Sequence, residues 1–74
     1  MKITIESTTR IIKANGIDCR VWEGETAAGV KVQCLIPRIA VKNGQDTAQF
    51  ERELQEQQPP SVDAETVFPM RMIL

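Results

Sequence analysis

At 74 residues, with 42% hydrophobic and 26% charged side chains, the chain suffices for one small domain and is too apolar for a disordered segment. Two cysteines exclude a disulfide framework, and the lack of histidine removes the usual general base and metal ligand. A formal net charge of −1 excludes a strongly basic nucleic-acid binder, although residues 1–44 hold seven Lys/Arg against four acids and residues 45–74 hold two against six.

Residues 2–42 read as an antiparallel β-meander. Lys2 to Glu6 alternates apolar and polar residues and predicts a first strand, followed by a Ser7-Thr8 connection. Thr9 to Ala14 is the second strand. Asn15-Gly16 predicts a type I′ hairpin turn into a third strand, Ile17 to Glu23. That turn fixes a register in which Ala14 faces Ile17, Lys13 faces Asp18, Ile12 faces Cys19 and Ile11 faces Arg20. Ile17, Cys19 and Val21 then share the core face; Asp18, Arg20 and Trp22 share the other. Gly24 to Gly29 reads as the next turn, and Val30 to about Lys42 as a long fourth strand bent near Pro37, or two strands joined there.

Asp46 and Gln49 have the spacing of a capping box and open a helix expected to run to Gln57, docking by Phe50 and Leu54. Gln58-Pro59-Pro60 ends it. Phe68-Pro69-Met70-Arg71-Met72-Ile73-Leu74 is an apolar tail, and Met70 to Leu74 is a candidate last strand. With Met70, Met72 and Leu74 on one face and Ile73 on the other, such a strand is easiest to bury against a second copy, so a homo-oligomer is expected. The whole is a single small α+β domain spanning 1–74: a meander, one short helix after the fourth strand, and a C-terminal strand or extended tail.

No constellation in the sequence supports catalysis. Ser7, Thr8 and Thr9 have no base beside them, and no Gly-rich loop leads into a helix. The chain is therefore read as non-enzymatic, with no cofactor and no metal. If Glu23 faces Val30, then Val21 faces Val32 and Cys19 faces Cys34, giving two reduced thiols side by side in the core. In the same register Trp22 lies between Thr9 and Lys31, and Arg20 between Ile11 and Gln33. This groups an aromatic ring, two cations and an amide on one sheet surface. Such a group can stack a base and pair a phosphate; the more ordinary reading makes Trp22 an interface or core residue, since tryptophan is costly to leave exposed. Lys2 leads into an alternating stretch rather than an apolar one, so no secretory leader is expected, and no apolar run is long enough to span a membrane.

Taken together, Met1 to Thr8, Arg38-Ile39-Ala40-Val41, Gln49 to Leu54 and the Phe68 to Leu74 ending resemble the short accessory proteins of tailed phages and prophages. The resemblance brings no mechanistic motif. It implies a setting, the host cytoplasm, and an anti-defence role in which a homo-oligomer sequesters a nucleotide-like immune signal. In that reading Arg20, Lys31 and Arg38 are candidate phosphate partners, Arg71 contributes from a neighbouring chain, and Trp22 is the stacking platform. The alternatives are a protein-binding inhibitor of a host defence complex, of anti-CRISPR type, and a particle assembly factor.

Overall fold

In the computed structural model, which describes residues 1–61, three antiparallel strands form one open sheet and a short helix follows them. The strands are β1 (Ile3–Ala14), β2 (Ile17–Thr26) and β3 (Lys31–Ile36), in the order β1-β2-β3, and the helix is α1 (Thr47–Leu54). The candidate strand Met70 to Leu74 lies outside the described residues.

The first hairpin forms around Asn15 (φ 53°) and Gly16 (φ 78°), both in the left-handed region that a type I′ turn needs. Its pairs are Ala14–Ile17, Lys13–Asp18, Ile12–Cys19 and Ile11–Arg20, as the turn predicts. The two expected N-terminal strands are, however, one strand. Between Ser7–Trp22 and Ile11–Arg20 the register shifts, so that Thr8, Thr9 and Arg10 of β1 stand against Val21 alone. A bulge of this kind bends a strand without ending it. Local bonds hold it: Thr8 Oγ1 donates to Val21 O at 2.6 Å, and Arg10 N donates to Thr8 Oγ1 at 3.3 Å. The outer side is tied by a segment beyond the helix, where Gln58 N donates to Ser7 O at 2.9 Å and Thr9 N to Gln58 O at 3.0 Å.

The second hairpin departs from the expected register. Gly24 is not a turn residue. It lies within β2, opposite Ile5, and a Cβ there would overlap the carbonyl oxygen of Thr4. The turn comes later, closed by Thr26 N to Val30 O at 3.0 Å and Gly29 N to Thr26 O at 2.9 Å. Val21 therefore faces Leu35 rather than Val32, a displacement of three residues. Because side chains alternate with a period of two, an odd displacement exchanges the faces of β3. Cys34 stands opposite Trp22 and Cys19 opposite Ile12, so the thiols lie on opposite faces and are unbridged. Lys31 also leaves the Trp22 face. β3 stops at Ile36, because Pro37 has no N–H to give the ladder, and residues 37–46 are irregular. No fourth strand follows it among the described residues.

The small core is centred on Val21 and Thr8, both fully buried, with Cys19 and Ser7 beside them. At the helix start Asp46 Oδ1 accepts from Gln49 N at 2.9 Å, the first arm of the capping box. The reciprocal arm is absent: Gln49 Nε2 donates to Glu53 Oε1 and Gln49 Oε1 accepts from Arg52 Nη2. The helix ends at Leu54, earlier than expected. Gln55 and Glu56 make tight i→i−3 bonds to Arg52 and Glu53, and Ser7 Oγ donates to Glu56 O at 3.0 Å, drawing the chain onto the edge of β1.

Candidate functional site

The strand that sets the site is β2. Its alternation places Asp18, Arg20 and Trp22 on one face, roughly 7 Å apart in succession. Arg20 sits between Ile11 of β1 and Ile36 of β3, and Trp22 between Ser7 and Cys34. Beyond Ile36 the chain turns at Pro37 and brings Arg38 and Ile39 back toward that face. Helix α1 closes the other side with Phe50 and Leu54. These residues line one cleft of about 280 Å³. The volume is close to the lower end of small-molecule pockets, roughly 300 to 1,000 Å³.

The lining is mostly apolar. Three large hydrophobic residues that stay exposed, Ile11 (48%), Ile39 (45%) and Leu54 (38%), gather at this cleft. Charge is limited to two guanidinium groups and one carboxylate. Arg20 is aimed by the bulge, since its Nη1 donates to the carbonyl oxygen of Thr8 at 2.8 Å. A guanidinium has five donors, so this anchor leaves most of the fork to meet a ligand. Asp18 Oδ1 lies 3.6 Å from Lys13 Nζ across the hairpin, in an exposed pair.

Of the residues the sequence singled out, Arg20, Trp22 and Arg38 come together in this cleft. Lys31 does not. It lies on the other face, where its Nζ is 3.0 Å from Glu25 Oε2. Gln33 likewise leaves the group, and its amide is buried on that other face without a hydrogen-bond partner among the described residues. Arg71 lies outside the described residues. The sequence reading missed Asp18 as a cleft residue, although alternation along β2 already put it beside Arg20. It also missed Ile39, and no local pattern could have placed it, because the bend at Pro37 decides where Ile39 goes.

Among the described residues, no three Cys, Asp or Glu side chains gather as metal ligands, and no helix is long and apolar enough to cross a membrane. No protein-family model matches the chain, and neither a curated protein nor a solved structure matches it.

Proposed function

We propose that the chain is a non-catalytic binding protein that sequesters a nucleotide-like anion in the cleft between sheet and helix. The observation that carries this reading is the meeting of Trp22, Arg20 and Arg38 on one apolar-walled cleft. An indole face stacks a base, worth about 1–3 kcal/mol. A guanidinium fork matches phosphate oxygens bidentately. Arg20 supports the role most directly, because its anchor on Thr8 orders the side chain before a ligand arrives. The setting that fits is the cytoplasm of a phage-infected host, where a small homo-oligomer holding a signalling nucleotide would blunt an immune response.

The test is a native mass spectrum of the full chain taken from fresh lysate, with Arg38→Ala beside it. The expected result is a retained nucleotide-sized ligand that is lost in the variant. Arg38 is exposed on an irregular segment, so this substitution leaves the fold intact. A ligand-free protein that instead carries a host protein complex overturns the reading in favour of a protein-binding inhibitor. The same spectrum reads the number of copies.

A further inference from the structure

The cleft has an order as well as a composition. Along β2 it presents an aromatic ring (Trp22), a cation (Arg20) and an anion (Asp18), one alternate position apart each time. Arg38 adds a second cation, so the lining carries one net positive charge. We propose that this order selects a phosphodiester-linked dinucleotide, whose single negative charge is flanked by a base and a second sugar, and rejects a nucleoside polyphosphate. The proposal rests on the reading of the cleft as a nucleotide site.

The argument follows the ligand along the strand. A base stacked on Trp22 places its phosphate about one alternate position away, at Arg20. What comes next meets Asp18. A carboxylate has about four lone-pair sites, and the described pair with Lys13 engages one oxygen, Oδ1. Asp18 therefore accepts hydrogen bonds from sugar hydroxyls. A second and third phosphate at that place would instead meet a like charge. The Lys13–Asp18 pair is exposed and long, so solvent and salt weaken it, and they screen the carboxylate's repulsion of a polyanion in the same way, which makes the discrimination modest and dependent on ionic strength. A phosphodiester carries one charge, which matches the net charge of the lining; a triphosphate carries several.

The only tryptophan of the chain is Trp22, so its fluorescence reports the cleft directly. The full-length protein is titrated at fixed ionic strength, without divalent metal, with adenylyl-(3′→5′)-adenosine, ATP and a ten-nucleotide oligoadenylate. The dinucleotide is expected to bind more tightly than ATP. Asp18→Asn should strengthen ATP binding by about 3- to 10-fold, the size of a screened repulsion across roughly 7 Å, and weaken dinucleotide binding. Lys13→Gln, which removes the counter-ion, should weaken ATP further. Both substitutions are at exposed positions. ATP binding more tightly than the dinucleotide, or Asp18→Asn strengthening both alike, overturns the selectivity and leaves the nucleotide site standing. Oligoadenylate binding more than tenfold tighter than the dinucleotide overturns it in favour of single-stranded nucleic acid. If none of the three probes changes the fluorescence, the nucleotide reading falls together with the selectivity.

Discussion

Thr8 Oγ1 lies 2.6 Å from the carbonyl oxygen of Val21, and neither residue is reached by solvent. The hydroxyl takes the place of a backbone donor that the bulge removes from the ladder. Thr8→Val keeps the shape and deletes the donor, leaving a buried carbonyl unsatisfied. A loss of about 1–3 kcal/mol in urea denaturation is expected. Thr8→Ser retains the bond and loses one methyl group, so it should cost about 0.8 kcal/mol. Equal effects of the two would show that the bond contributes nothing.

Gly24 and Gly16 are both constrained, for different reasons. At Gly16 there is open space around a Cβ, but φ is +78°. At Gly24 the space is missing, because the backbone of Thr4 and Ile5 occupies it. Gly24→Ala should therefore cost about 1–3 kcal/mol or more, since backbone must move. Gly16→Ala should cost about 1–2 kcal/mol through conformation alone. Gly16→Val should be worse than Gly16→Ala, while Gly24→Ser should be no better than Gly24→Ala. Melting curves of the four variants give the ranking.

Leu54 is 38% exposed and lines the cleft, so its truncation removes a wall more than a core contact. Leu54→Ala is expected to cost about 1 kcal/mol, below the 2–5 kcal/mol of a buried site. Asp46→Ala removes the helix cap and should cost a comparable amount, about 0.5–2 kcal/mol. A Leu54→Ala loss above 3 kcal/mol would mean that the helix is packed far more closely than the open cleft allows.

Cys34 is half-buried opposite Trp22, and Cys19 is buried at 4% exposure. A thiol reagent added to the native protein should therefore label Cys34 first. Labelling there should change the Trp22 fluorescence, while the slower reaction at Cys19 should follow local opening. Simultaneous labelling of both would contradict the burial difference.

These relationships show where local sequence suffices and where it does not. Asn15-Gly16 specifies its own register, because only one pairing follows a two-residue turn with both φ angles positive. The second hairpin has no such signal. Gly24 looks like turn chemistry, yet the strand needs it for a close approach to Thr4 that is invisible from its neighbours in sequence. With the turn at Thr26–Val30 instead of Gly24, the pairing is displaced by three residues, which exchanges the faces of β3, separates Cys19 from Cys34 and takes Lys31 away from Trp22. Arg20 and Trp22 keep their common face because both belong to β2, where alternation needs no partner strand. Arg38 reaches the cleft through the bend at Pro37, which depends on where β3 ends in space.

The bulge also decides how the chain can vary in length. Three residues of β1 stand where β2 offers one, so the surplus is two, an even number. Ile3, Ile5 and Ser7 consequently stay on the same side as Ile11. Deleting Thr9 alone would leave one surplus residue, which an ordinary bulge absorbs while Ser7 still pairs with Trp22, though the Thr9 N bond to Gln58 O is lost. Deleting Thr9 and Arg10 together would restore a regular ladder with every side chain on its present side.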